Sequence, residues 1–457
     1  MDSLHAALLK SDETDFVSSL LDQLDMRRIP PSLEMHGQYE EDWDVALSAL
    51  WNLLRIFECL FIDPKNPAVV HVRLKFGGLV VERWSDVVHW LVYLLLVFSK
   101  HPDETTLPFF CTAALKMLVD TEERDEWQEE VLHRPQTADL IHALLCQTEP
   151  QEGSYHYISD TDGCAVLSLL WNGGGGQQHF FPALTQLSMV RPRTRDKVIA
   201  SLVLRARHIA EIATGKRQGL GPEFVEEESL DERLLCAGRS LRTLTVLASH
   251  LTADPTLLRI FLKNDIIFEY ASAFSALAKG VHTHHMEACG DAKVTPNAGP
   301  HEVGSPQAIW RIIAETISGS FTTILIERTR GSNSAVPVAI TGGLLHTILQ
   351  CLIHLLPESR EVDAVINKAL PMVLLSLQTK KAVYSLSTED PSHFSSDSGE
   401  DELSALMDLA QTRSAVAAQA CGRVRAAMED GNNRVKGALW AMAGMCSNHE
   451  VRRCANI

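Results

Sequence analysis

At 457 residues, 46% of them hydrophobic, the chain can fill two or three ordinary cores or one elongated array, which excludes an intrinsically disordered protein. Its 58 acidic against 41 basic residues give a net charge of −17, a field that repels phosphate backbones and anionic bilayers, so neither nucleic acid nor membrane is an expected partner. Aromatic residues make up only 6% while Leu and Ala dominate the apolar positions, the balance of helix packed on helix, and the expected class is all-α.

The first residues, MDSLHAALLKSDETDF, carry an early acid and no sustained apolar run, so they do not read as a secretory signal, and a cytoplasmic or nuclear location is expected. Next, Leu47, Leu50, Leu54, Phe57 and Phe61 share one helical face. Val70, Val72, Leu74 and Phe76 then alternate with His71, Arg73 and Lys75 ahead of Gly77-Gly78, which is a hairpin pattern. A lone hairpin between strong helices lacks a partner sheet, and this favours a helical extension into the apolar run from Val87 to Phe98. That run falls short of the ~20 residues that a bilayer-spanning helix needs.

Asp160-Thr161-Asp162-Gly163 lacks the third acid and the distant glutamate of a calcium loop. The glycines from Asn172 to Gly176 have no following Lys-Ser/Thr pair to cradle phosphate, and they read as a turn. Val198, Leu202, Ala206, Ile209 and Ala213 form the next stripe, and Gly215-Lys216-Arg217 suits a helix C-terminal cap. Asp254-Pro255 and Ser305-Pro306 pair a capping oxygen with a proline fit for the first helical turn, and Ser229 with Glu232 forms a capping box. Further stripes cover Leu234–Leu251, Ile309–Ile326, Leu344–Leu356 and Leu403–Met428. Exposed loops are expected over Ala213–Ser229, His282–Gly304 and Ser385–Glu402, the last an acidic, serine-rich linker that also suits phosphorylation.

About fifteen or more helices fit at ordinary lengths, and short connections make neighbours antiparallel. The expected architecture is therefore an irregular armadillo/HEAT-like helical array, an α-solenoid, although the sequence has no fixed-period repeat. Its organisation reads as an array over 1–386, with subdivisions near 215–229 and 282–304, an acidic serine-rich loop over 387–402, C-terminal helices over 403–445 and a short module over 446–457.

The search for chemistry finds no nucleophile elbow, zinc-protease helix or phosphate-binding loop. An active site assembled from distant residues escapes such a search, so an enzyme with a non-local site stays as the alternative. Ten dispersed cysteines suit buried apolar positions in a reducing compartment, not a disulfide framework. His282, His284, His285, Glu287 and Cys289 supply enough nitrogen and sulfur for a transition metal, but at no standard spacing, which favours a solvated loop. His346, Cys351 and His354 fall on a core-facing helix, the histidines at the margin of its apolar stripe.

The last twelve residues, Cys446-Ser447-Asn448-His449-Glu450-Val451-Arg452-Arg453-Cys454-Ala455-Asn456-Ile457, follow an alanine-rich helix. This ending resembles the start of a MYND-type zinc finger, as found after long helical regions in fungal proteins. The resemblance implies zinc at Cys446, His449 and Cys454. It departs where Ile457 stands at a cysteine position, so the zinc site is incomplete unless further ligands complete it. The resemblance implies a truncated product or a relative that has lost its finger, with the helical region carrying the function. No other cofactor is expected. The expected function is a non-catalytic protein-interaction scaffold of regulatory character, its partners other proteins and its oligomeric state open. The alternative is a zinc-binding protein or an enzyme.

Overall fold

A computed structural model describes residues 14–31, 40–61, 66–98, 125–146, 159–160, 163–164, 166–167, 170, 176–190, 192–216, 230–289, 306–329, 335–378 and 399–433. Among these residues the secondary structure is helical, apart from a two-residue antiparallel pairing of β1 (Ser159–Asp160) with β2 (Gly163–Cys164). The chain divides into two compact units, Met1–Leu202 with Gly219–Glu227, and Val203–Gln218 with Glu228–Ile457.

The first unit holds α1 (Thr14–Gln23), α2 (Glu40–Phe61), α3 (Pro67–Phe98), α4 (Glu126–His133), α5 (Pro135–Cys146), α6 (Gly176–Val190) and the beginning of α7 (Pro192–Ala213). Helix α3 is its spine, and α1, α2, α4 and α5 all pack against it. The alternating segment Val70–Phe76 lies inside α3, so the helical extension is what forms. A continuous helix pairs its own backbone groups along its length, whereas an isolated hairpin leaves two edges to solvent.

Gly77 explains why the helix carries a residue of poor helix propensity. A Cβ there would stand 2.3 Å from Trp127 Cγ, so the bare backbone is what lets the α4 indole lie on α3. Two polar links fasten the same contact. Arg73 meets the Asp125 carboxylate with Nε at 2.5 Å from one oxygen and Nη2 at 3.1 Å from the other, both side chains nearly buried. Trp84 Nε1 donates to Thr137 Oγ1 at 2.7 Å, and that hydroxyl donates to the Val131 carbonyl at 2.5 Å. Each buried donor is thereby satisfied inside an apolar core.

The second unit takes up the rest of α7, then α8 (Leu230–Leu251), α9 (Pro255–Lys263), α10 (Ile266–Cys289) and α11 (Pro306–Thr316). Helix α11 runs on through two π-helical turns, Ile317–Phe321 and Ile324–Arg328. Then come α12 (Ala335–Thr341), α13 (Leu344–His354), α14 (Arg360–Ala364), α15 (Leu370–Leu377), α16 (Gly399–Arg413) and α17 (residues 415–433). Its core gathers Tyr270 and Phe274 of α10 with Trp310 and Phe321 of the α11 stretch, all buried. Two of the expected caps form here, while Ser229 and Ser305 lie outside the described residues. Asp254 accepts from the Thr256 and Leu257 backbone N–H groups at 2.7 and 3.1 Å. Gly215, at φ +69°, closes α7 as Lys216 N–H reaches the Glu211 carbonyl at 2.8 Å.

Three expectations need correction. The stretch beginning at His282 is not a loop: α10 continues through Cys289, because no glycine or proline interrupts 281–289 and each further residue adds a backbone hydrogen bond. The acidic segment ends earlier than Glu402, since α16 starts at Gly399 and its backbone takes in residues 400–402. The single stripe Leu403–Met428 is two helices, broken at Ser414, whose Oγ caps α17 by accepting from Ala417 N–H at 3.0 Å. His301–Gly304, residues 387–398 and residues 434–445 lie outside the described residues.

Among the described residues, Pro306–Glu327 is the one helical stretch long and apolar enough to cross a bilayer, with a mean hydropathy of 1.2 over its apolar window. Of that window 61% is buried inside the protein, and α8, α10 and α13 cover it, as they cover a core helix. Helices α12 and α13 reach the same test only as a pair bent by 66°.

Candidate functional site

Within the second unit α10, α11, α13 and α16 converge, and α13 packs on each of the other three. Helix α13 is nearly all apolar, yet His346, Gln350 and His354 recur on it at intervals of four and therefore lie along one face. His282 Nδ1 stands 2.8 Å from His354 Nε2, a hydrogen bond in which one imidazole donates and the other accepts. The His354 ring lies flat on the Trp310 indole, centroids 4.6 Å apart with planes 6° off parallel, and Gln307 Nε2 donates to the His354 carbonyl at 2.7 Å. The pair is thus held from α10, α11 and α13 together.

Beside it opens a cleft of 330 Å³ lined by Lys279, His282 and Thr283 of α10, Gln350 of α13, and Ala405, Leu406 and Leu409 of α16. One wall is aliphatic and the other carries hydrogen-bonding groups. Among the described residues of this unit the buried acids are Glu269, paired with Arg207, and Glu361, paired with Arg360. Gln350 is 2% exposed, and its Oε1 is a buried acceptor without a hydrogen-bond partner among the described residues. Trp310 Nε1 is a buried donor in the same condition. A group left so costs about 1–3 kcal/mol.

The residues singled out from sequence fare differently. His282 enters the site. His284, two positions on and so rotated to another side of the helix, bonds instead through Nε2 to Asp231 on α8 at 3.1 Å. Helix formation therefore separates these two histidines, which the loop reading kept together. The side chains of His285, Glu287 and Cys289 lie outside the described residues, as do Cys446, His449 and Cys454. His346 is buried and His354 half-buried, as their place on the margin of the stripe implied. Cys351 is completely buried, and burial pushes its thiol above the usual range, so it is not a ready nucleophile.

Two imidazole nitrogens at 2.8 Å are closer than the ~3.4 Å that tetrahedral zinc with Zn–N near 2.0–2.1 Å imposes on a ligand pair. Among the described residues no group of three or more His, Cys, Asp or Glu is placed to hold a metal ion. Sequence reasoning missed Lys279, Gln350 and Trp310. The regular spacing of His346, Gln350 and His354 within an apolar helix was the available signal, whereas the approach of Trp310 and His282 to that face depends on the tertiary fold.

Set against known proteins, the chain matches no family model, no curated sequence and no solved structure.

Proposed function

We propose that this protein is a non-catalytic interaction scaffold, an irregular armadillo/HEAT-like array of stacked helices acting in the cytoplasm or nucleus on other proteins. The observation that supports this most is the cleft between α10, α13 and α16, where Ala405, Leu406 and Leu409 face Lys279, His282, Thr283 and Gln350. Such a lining matches an apolar side chain together with the polar backbone that carries it, the recurring need of peptide recognition.

A photo-crosslinking amino acid placed at Leu409, and at the exposed Arg259 on α9 as control, tests this reading. Irradiation in a cell extract is expected to yield discrete protein adducts from position 409 and none of the same mass from position 259. No adduct from 409, or the same adducts from both positions, overturns it.

A further inference from the structure

We infer that α11 carries a hinge at Gly319, about which the stretch from Thr322 to Arg328 swings relative to Pro306–Thr316.

The helix widens into π-turns at Ile317–Phe321 and Ile324–Arg328 without the commonest cause of such a departure. Another π-helical turn of this unit, Val365–Ala369, shows that cause. Pro371 has no N–H, and its ring would clash with the Asn367 carbonyl in a regular α-turn, so the widened turn accommodates it. Between Gln307 and Thr329 there is no proline. What stands in the first turn is Gly319, and packing does not require it. A Cβ there would meet nothing within 4 Å, in contrast to Gly77, whose place Trp127 dictates. A glycine that no neighbour demands weakens a helix and supplies backbone freedom in return.

The bonding of this turn is soft as well. The Thr322 N–H is divided between the carbonyls of Ile317 and Gly319, five and three residues back, where an α-helix makes its bond four back. Hydroxyls bond onto carbonyls in and beside the turn. Ser318 Oγ donates to Ala314 at 2.6 Å, Thr322 Oγ1 to Ile317 at 2.6 Å and Thr323 Oγ1 to Gly319 at 3.1 Å. Such back-bonding competes with the backbone ladder and bends helices.

The two sides of Gly319 are held unequally. Upstream, α8, α10, α13 and α14 all pack on Pro306–Thr316, and Gln307 and Trp310 hold His354. Downstream, Ile324–Arg328 finds its chief contact among the described elements in the turn before it, and Ile326 and Glu327 are exposed. A swing therefore moves the exposed end of α11 and leaves the His282–His354 pair where it is. Hinges of this kind concentrate the backbone change in a few residues between rigid parts.

Hydrogen–deuterium exchange of the full chain, read by mass spectrometry on overlapping peptides, tests the hinge. Amides from Ser320 to Leu325 are expected to exchange at least about tenfold faster than those from Trp310 to Thr316, with the step at Gly319. Gly319→Ala places a methyl group in open space, so the fold is retained, and it is expected to slow the downstream amides by about two- to fivefold while leaving the upstream ones unchanged. Equally slow exchange on both sides of Gly319 in the native chain overturns the hinge. A gradient that rises only towards Arg328 and does not respond to Gly319→Ala also overturns it, because that is the fraying of a helix end. So does equal slowing upstream and downstream, which means that the stretch opens only together with its surroundings.

Discussion

Cys351 sits one turn before His354 on α13 with no surface exposed to water. Burial raises its thiol above the ordinary 9.0, because a thiolate in that position would lose its hydration with nothing to replace it. Above pH 9.0 the unfolded chain ionises this group while the folded chain keeps its proton. The associated stability is therefore fully present below 9.0 and is lost as pH rises, by about 1.4 kcal/mol for each unit. Tyr270, equally buried, behaves in the same way from its ordinary 10.0 upward. Urea unfolding of Cys351→Ala should thus lose stability less steeply than the native chain between about pH 9 and pH 10. Superimposable slopes would mean that the thiol reaches water in the folded state, and its exclusion from chemistry would then have to be abandoned.

At the scale of elements, what sets the walls of the cleft is a corner. Helices α12 and α13 meet at Gly342-Gly343, and that corner rests on α10: a Cβ on Gly342 would stand 2.7 Å from Ala271 Cβ and 2.9 Å from the Phe268 carbonyl oxygen. Gly343 adds φ +94°, a left-handed conformation in which any Cβ is strained. Gly342→Ala should therefore force α10 and α13 apart and destabilise by about 1–3 kcal/mol, as overpacking does, and weaken binding in the cleft that these helices line. Gly422, exposed on α17 with nothing within 4 Å of its Cβ position, is the matched control, where alanine should stabilise by about 0.5–1 kcal/mol. Denaturant midpoints of the two variants moving in the same direction would refute this account of the corner. The sequence marked the helices well where an apolar stripe ran under a cap, as at Asp254-Pro255 and from Val198 to Ala213. It misled where polarity stood in for loop structure: His282 to Cys289 has no apolar stripe, yet lacks a breaker, and its histidines take their places from α8 and α13 instead of from their neighbours in the chain. Why a glycine stands at position 77 of that helix was not legible either, since the indole that requires it lies 50 residues further on, at Trp127. The candidate site was half legible, because one polar face on α13 can be counted off the sequence while the surfaces brought against it cannot.

The whole molecule carries an excess of negative charge that no single contact removes. With 58 acids against 41 bases and a pI near 5.5, the folded chain at neutral pH confines like charges that unfolding would spread apart, and self-repulsion works against the compact state. The exposed ion pairs act in the opposite sense, among them Arg83–Asp22, Arg360–Glu315 and Arg425–Asp408, and salt weakens them as well. Each such pair is worth only about 0–1 kcal/mol, and holding its long side chains in one geometry offsets part of that. The repulsion is summed over many partners at distances beyond contact, so it is the term more sensitive to screening. Raising the ionic strength from about 0.01 M to about 0.1 M shortens the screening length from about 30 Å to about 10 Å, which removes most repulsion across the molecule while leaving contacts at 3 Å largely in place. The melting temperature at pH 7 should therefore rise by a few degrees over that range, and the rise should shrink as the pH is brought towards 5.5, where the net charge vanishes. A fall in melting temperature with added salt would show that the local pairs outweigh the net field, and the expectation that polyanionic partners are repelled, which rests on that same field, would lose its basis.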